Sequence, residues 1–158
     1  EDDALYLRYK DGERMYKNWG RAFAWYLLGI IQVMIQLQLC EEAIPVRLRE
    51  EYTHVLDFAL SHLHHGLLSV FITEYETGAE TSATAGVGAA VRLGIDYGFL
   101  DASYEEYVHT IVSAIEGYLT PDGMLGGVSQ SNRDGERLQR SGYRVISQMA
   151  MGLLAHCM

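Results

Sequence analysis

The only two tryptophans of the chain, Trp19 and Trp25, flank an arginine, Arg21, within one short segment. Aromatic rings can stack on the C–H faces of a sugar, and a guanidinium can bind a carboxylate through two parallel hydrogen bonds. The three residues together indicate a site for a sugar that carries an acid group. The alternative is that both tryptophans belong to the core and Arg21 pairs with a neighbour, and composition alone favours this alternative.

Two further groups of residues could contribute to such a site. Glu76 and Glu80 lie four residues apart and could form an acid/base pair. The position of Glu80 in the first turn of a predicted helix is also explained by the helix dipole. Tyr143 and Arg144 lie at the start of the last predicted helix, and we expect them to contact an acidic sugar; the alternative is that Arg144 is an ordinary surface arginine.

No metal or cofactor is expected from the sequence. His62, His64 and His65 are close together, but no acidic or thiol partner follows at metal-ligand spacing. Gly123 and its neighbouring glycines are not followed by the Gly-Lys-Ser/Thr of a phosphate-binding loop.

The charge balance limits the class of partner. The chain has 12 Lys and Arg against 21 Asp and Glu, a net charge of −9, which disfavours nucleic acid and anionic membranes. The longest apolar segment, residues 22–39, is interrupted by Gln32, Gln36 and Gln38, so no membrane span is expected. The acidic residues 1–3 are unlike the start of a secretion signal, which predicts a cytoplasmic protein, with a sequence that starts downstream of a signal as the alternative.

The length of 158 residues predicts a single domain, 1–158. Cys40 and Cys157 have no close metal spacing, and we expect two buried free thiols, with a disulfide as the alternative. Apolar residues at helical spacing predict five helices. These cover about residues 19–39, 46–63, 81–95, 103–119 and 143–157.

The caps and connections of these helices can also be predicted. Thr81 or Ser82 is expected to cap the third helix, and Ser103 begins a capping box for the fourth. Residues 70–73 are expected to form a short extended piece, and residues 126–142 a long loop or short hairpin.

The third helix consists mostly of small residues, as in a tightly nested inner helix. Amphipathic and more uniformly apolar helices alternate, which predicts an all-α fold of stacked α-helical hairpins, about half of an (α/α)6 toroid.

Several motifs in order resemble one enzyme family. The segment from Trp19 to Tyr26 resembles the W-x-R-x-x-G-W-Y motif of unsaturated glucuronyl and rhamnogalacturonyl hydrolases (glycoside hydrolase families 88 and 105). Residues 80–85 and 94–98 resemble the E-T/A-S-x-T-A helix of that family and the glycine after it, and residues 122–125 and 152–155 follow in the expected order. The family folds as an (α/α)6 barrel of more than twice this length, which implies that the chain is its C-terminal half.

The resemblance implies a specific reaction. These enzymes release a 4,5-unsaturated uronic acid from the non-reducing end of lyase-generated oligosaccharides by hydrating the double bond, unlike hydrolases that use two carboxylates. By resemblance, Trp19, Arg21 and Trp25 line the sugar subsite and Glu80 lines the cleft. Ala24 replaces the usual glycine and is expected to narrow the pocket.

The resemblance also bears on the catalytic acid. It implies a catalytic Asp far upstream, so we expect the catalytic residue to lie outside this chain. Asp11 imitates the motif of that Asp at the wrong spacing.

The sequence leaves two other functions open. The chain could be a non-catalytic carbohydrate-binding or scaffold half-barrel, or belong to another (α/α)6 glycosidase that uses two carboxylates. In every case half a toroid would leave apolar faces unpaired, which predicts self-association or pairing with a missing N-terminal half.

Overall fold

A computed structural model describes residues 4–132 and 135–158, and in this part of the chain helices dominate over short strands. The helices are α1 (Gly20–Leu39), α2 (Val46–Ser61), α3 (Thr81–Asp96), α4 (Glu105–Glu116), α5 (Glu136–Gln139) and α6 (Gln148–Cys157). The strands are β1 (Tyr6–Lys10), β2 (Glu13–Lys17), β3 (Ser69–Phe71), β4 (Glu74–Ala79), β5 (Val128–Ser129) and β6 (Arg144–Val145). Each strand pairs with one other, giving antiparallel sheets β1–β2, β3–β4 and β5–β6.

The strands correct the expectation of an all-α fold. β1 and β2 occupy a segment for which no element was predicted, and their turn is Asp11-Gly12, where both residues have positive φ (52° and 86°). This backbone conformation matches the right-handed twist of a two-residue hairpin. The extended piece expected at residues 70–73 overlaps β3. The short hairpin expected over residues 126–142 is replaced by the β5–β6 pair with α5 between its strands.

Helix α3 lies at the centre of the fold. It packs against α1, α4 and α6, and 12 of its 16 residues are buried. A Cβ added to Gly86 would lie 2.6 Å from the Cβ of Ala24, and one added to Gly88 would lie 2.5 Å from the Sγ of Cys157. The absence of these side chains lets the neighbouring helices approach closely, so the prediction of a nested inner helix is confirmed.

The helix ends differ from their predicted caps. The side chain of Glu80, rather than that of Thr81 or Ser82, caps α3 by accepting a hydrogen bond from the backbone N–H of Ala83. Ahead of α4, the Asp101 carboxylate accepts a hydrogen bond from the Ser103 N–H at 2.8 Å. Asp101 is therefore the capping residue here, and the predicted capping residue Ser103 is its hydrogen-bond donor. Helix α6 begins later than predicted because residues 144–145 pair with β5.

Helix α1 and the residue after it, Cys40, are partly exposed. By length and composition alone α1 could cross a membrane, a property that buried core helices share. Ten of its residues are buried in this fold, while Trp25, Val33 and Leu39 are exposed. Cys157 is buried as expected, but Cys40 is exposed, and both are free thiols. The prediction of two buried thiols is therefore wrong for Cys40, which follows the end of α1 where the helix leaves the core.

Candidate functional site

Trp19, Arg21 and Trp25 line a single cleft with a volume of about 550 Å³. Arg21 and Trp25 share a face of α1 because four residues make about one helical turn, and Trp19 directly precedes the helix. The opposite wall consists of the residues after β5 and those at the start of α6. The remaining lining residues are Leu7, Ser129, Gln130, Ser131, Asn132, Val145, Ile146, Ser147 and Met149.

Arg21 is a buried cation, only 8% exposed, that retains free hydrogen-bond donors. Its Nη2 donates to the backbone carbonyl of Gln130, and its Nε is buried with no hydrogen-bond partner among the described residues. Burial lowers the pKa of Arg21, and the negative charge of Glu80 opposes this shift. A guanidinium stays charged and has five N–H donors. Arg21 can therefore still bind a ligand that enters the cleft.

The surroundings of Arg21 favour an anion. None of the described residues that line the cleft is an Asp or a Glu, and none of the described carboxylates forms an ion pair with Arg21. The first turns of α1 and α6 contribute Arg21 and Met149 to the cleft, and helix N-termini carry a positive partial charge. The cleft is therefore a cationic region in an acidic protein.

The two tryptophans differ in their surroundings. Trp19 is almost fully buried beside Tyr16 and Phe71, so it belongs to the core and lines the cleft at the same time. Its Nε1 donates to the Oε1 of Gln139 at 3.1 Å, and Gln139 donates to the Gln130 carbonyl at 3.0 Å. Trp25 is 43% exposed, so its ring can stack on a ligand.

Glu80 is fully buried and does not line the cleft, contrary to what the resemblance implies. Its carboxylate accepts hydrogen bonds from the Ser82 hydroxyl, the Ala83 N–H and the Ser129 N–H, the last at 2.7 Å. Because Ser129 immediately precedes Gln130, Glu80 positions the strand that contacts Arg21. Glu76 is exposed on β4, so the structure does not bring the two carboxylates together in one cleft.

Tyr143 and Arg144 also lie outside this cleft. Arg144 donates from Nε to the Ala79 carbonyl at 2.9 Å and from Nη2 to the Thr77 carbonyl at 2.6 Å, and it lines a neighbouring cleft. Tyr143 is exposed and is not among the lining residues of either cleft. The period-two alternation of strand β6 explains the separation, since Val145 lines the Arg21 cleft and Arg144 does not.

Ala24 and Asp11 both lie outside the lining of the cleft. Ala24 is fully buried with its Cβ towards Gly86 and is not a lining residue, so it does not narrow the cleft. Asp11 lies in the exposed turn of the β1–β2 hairpin, beside Lys10 and away from the cleft.

Sequence reasoning missed the polar run 129–132 and Gln139. The run lies in a segment predicted as a Gly-rich loop, and its four consecutive polar residues were the available signal. The described residues contain no group of three His, Cys, Asp or Glu side chains that could hold a metal ion.

The sequence model of Glycosyl Hydrolase Family 88 matches residues 4–155. None of the curated protein sequences compared with the chain matches it.

Several solved structures share this fold. A possible member of family GH105 from Salmonella enterica has 17% identity and a TM-score of 0.76, over 88% of this chain and 38% of that protein. A possible GH105 member from Klebsiella pneumoniae has 18% identity and a TM-score of 0.70, with coverages of 88% and 38%. A family 88 glycosyl hydrolase from Bacteroides vulgatus has 21% identity and a TM-score of 0.68, over 88% of this chain and 42% of that protein. The chain thus spans about two fifths of the length of these structures.

Proposed function

The chain belongs to glycosyl hydrolase family 88, and we propose that it carries the sugar-binding wall of an unsaturated uronyl hydrolase. Such an enzyme releases a 4,5-unsaturated uronic acid from the non-reducing end of lyase-generated oligosaccharides. The family resemblance inferred from the motifs is confirmed by the match over residues 4–155. One observation carries the functional proposal: Arg21 is buried without an ion pair among the described residues, in a cleft that it shares with Trp19 and Trp25.

Each part of the cleft has a binding function in this proposal. The free N–H donors of Arg21 bind the sugar carboxylate, and a guanidinium matches that group in a bidentate geometry. The exposed ring of Trp25 stacks on the sugar, whose conjugated double bond and carboxylate make one side flat. Polar groups of residues 129–132 bind the hydroxyls.

The chemical step requires an acid. Protonation of the double bond and addition of water give a hemiketal, which collapses and releases the sugar. Arg21 cannot supply the proton because a guanidinium does not deprotonate in proteins. The described residues that line the cleft include no carboxylic acid. We therefore place the catalytic Asp outside these residues, on a part of the enzyme that faces the Trp19 wall.

A missing helical half would also explain the outer face of α1. We propose that this chain forms about half of an (α/α)6 toroid and that an N-terminal half covers α1. The support is the 38–42% coverage of the structural relatives, together with an apolar cleft of about 500 Å³ on α1 lined by residues such as Val33, Leu37 and Cys40. Sedimentation should then show self-association of the chain alone. A monomer at high concentration contradicts this part of the proposal.

The double bond of the substrate provides the test of the reaction. With the chain joined to its N-terminal half, an unsaturated uronyl disaccharide should lose its ultraviolet absorbance as hydration proceeds. Calorimetric binding without any absorbance loss would instead identify a non-catalytic carbohydrate-binding half-barrel. The absence of both binding and absorbance loss contradicts the proposal. A two-carboxylate glycosidase is not supported, because Glu76 and Glu80 do not share a cleft.

A further inference from the structure

A second groove lies along strand β4, apart from the Arg21 cleft. Two adjoining clefts of about 460 and 430 Å³ share Glu76, Gly78, Ala79 and Tyr118, so together they form one groove. None of its lining residues lines the cleft that contains Arg21. Its size falls within the range of small-ligand sites. The groove is therefore a separate candidate site with its own chemistry.

One end of the groove is aromatic. The ring centroids of His64 and Tyr75 are 4.0 Å apart, and the ring of His65 meets that of His64 edge-on at 4.2 Å. Tyr75 is 62% exposed, although it is one of the larger apolar side chains of the protein. Tyr118 and the two histidines, whose side chains carry polar atoms, line this end of the groove.

The local backbone holds this aromatic end in place. His64 and Leu67 exchange two backbone hydrogen bonds across a tight turn, in which His65 has a φ of 50° and Gly66 a φ of 80°. A Cβ on Gly66 would lie 2.7 Å from the Cβ of Ala114, so the turn is packed directly against α4. A positive φ is uncommon outside glycine, and its retention at His65 indicates a position determined by its surroundings.

The other end of the groove is cationic. Arg144 donates to three backbone carbonyls, those of Thr77, Ala79 and Tyr143, and none of the described carboxylates forms an ion pair with it. Three bonds use three of its five N–H groups, which leaves two for a ligand. Arg140, on the same side, is already paired with Glu74 and Glu136. Arg144 is thus the cation of the groove that remains available.

We propose that this groove binds a second acid-bearing saccharide unit, independently of the Arg21 cleft. Arg144 binds the carboxylate, Tyr75 and Tyr118 present ring surface to the sugar, and His64, His65 and Glu76 bind hydroxyls. The strong negative charge of the protein disfavours a polyanion such as nucleic acid, and the Arg144 cation in the lining disfavours a wholly apolar ligand, which would leave that charge unpaired. A short saccharide with one or a few carboxylates fits both constraints.

The test uses the full chain and a saturated galacturonic acid trisaccharide, followed by NMR of the histidine rings at fixed pH. The signals of His64 and His65 should shift saturably. The Tyr75→Ala variant should weaken binding by roughly fivefold, the scale of one aromatic contact. Tyr9→Ala is the matched control, since Tyr9 is 73% exposed and does not line the groove. Equal affinities of these two variants, or the absence of a saturable shift, overturn the proposal.

The preference for an acid is tested separately. The methyl ester of the trisaccharide should bind the unchanged protein roughly tenfold more weakly, because a hydrogen bond to a charged group is lost. In Arg144→Gln, the acid and its ester should bind alike, and circular dichroism checks that the variant is folded. If the ester binds the unchanged protein as tightly as the acid, the groove does not recognise the carboxylate and the proposal of an acidic ligand is wrong. Arg21→Gln should leave these histidine shifts unchanged, which separates failure of this proposal from failure of the Arg21 cleft.

Discussion

The guanidinium of Arg21 lies over the indole ring of Trp19, with its Cζ 4.7 Å from the ring centroid. The ring attracts the cation without neutralising it. The Gln130 carbonyl, which accepts from Nη2, also carries no net charge. The two contacts therefore fix the position of Arg21 and leave its positive charge to a ligand.

The first prediction concerns the geometry of this cation. Arg21→Gln should weaken binding of an unsaturated uronyl disaccharide by roughly 10- to 100-fold, the scale of a charged hydrogen bond. The affinity of Arg21→Lys for the disaccharide should lie between those of Arg21→Gln and the unchanged protein, because lysine keeps the charge but lacks the planar guanidinium. Calorimetry measures both affinities. Arg47→Gln, at an exposed position of α2, is the control, and equal losses in Arg21→Gln and Arg47→Gln would remove Arg21 from the site.

The second prediction concerns Glu80. Glu80→Ala should lower the free energy of unfolding by about 3 kcal/mol, because buried N–H groups of Ala83 and Ser129 lose a charged acceptor. Urea denaturation provides the measurement. Glu76→Ala, at an exposed position on β4, should change the free energy of unfolding by less than about 0.5 kcal/mol. A stable Glu80→Ala protein would show that Glu80 does not position the wall.

The third prediction concerns the contact between α1 and α3. Gly86→Ala should destabilise the protein by about 1–3 kcal/mol through overpacking against Ala24. Adding Ala24→Gly should recover part of that loss, because it removes the opposing methyl group. A double-mutant cycle from thermal or urea unfolding measures the coupling, and strictly additive effects would contradict the contact.

Gly29→Ala is the matched control for that cycle. Gly29 lies in α1, is exposed, and no neighbouring atom lies within 4 Å of a Cβ added there. The substitution should stabilise the protein by about 0.5–1 kcal/mol, since alanine favours helix. The same change from glycine to alanine should therefore destabilise the protein at Gly86 and stabilise it at Gly29.

The fourth prediction concerns the thiols. Burial raises the pKa of Cys157 to about 11, whereas Cys40 is exposed. At about pH 8 an alkylating reagent should modify Cys40 in the folded protein and reach Cys157 only after denaturation. Mass spectrometry of the peptides distinguishes the two sites. Equal labelling of both cysteines in the folded protein would show that α6 does not pack against α3 as described.

The fifth prediction concerns pH. The hydrogen bond from Arg140 lowers the pKa of Glu74. A lowered carboxyl pKa stabilises the folded state above the unfolded value of about 4.3, and this stabilisation disappears as the pH falls through the folded-state pKa. Glu74→Gln should therefore cost up to about 1 kcal/mol at neutral pH, because the pair is partly exposed. The difference from the unchanged protein should shrink as the pH falls through the folded-state pKa of Glu74, and a difference independent of pH contradicts the ion pair.

Helical periodicity was sufficient to locate α1 to α4, because their apolar residues repeat every three or four positions. The Asp11-Gly12 turn was a readable hairpin signal, since both residues favour positive φ. The same residues also imitate a catalytic motif in sequence, but in the structure they form the turn of the β1–β2 hairpin. Strands β5 and β6 could not be predicted, because each has only two residues and their pairing depends on tertiary contacts.

The site was predictable to the extent that it is local in sequence. Trp19, Arg21 and Trp25 lie within two helical turns, so their spacing alone places them near each other. The opposite wall lies more than 100 residues later and is held by Glu80 and Gln139. Tyr143 and Arg144 were predicted to share the site because they lie at the start of the last helix, where the loops of a toroid line the cleft. The two-residue strand that contains Arg144 directs it to a different groove.

The most direct test of the central claim is the intrinsic fluorescence of the two tryptophans, because both line the proposed uronate cleft. Titration of the chain with an unsaturated uronyl disaccharide should give a saturable change in tryptophan emission. The methyl ester should give a much weaker response, since it cannot pair with Arg21. An emission spectrum that does not change, or an equal response to acid and ester, would contradict the assignment of Trp19, Arg21 and Trp25 to a uronate site.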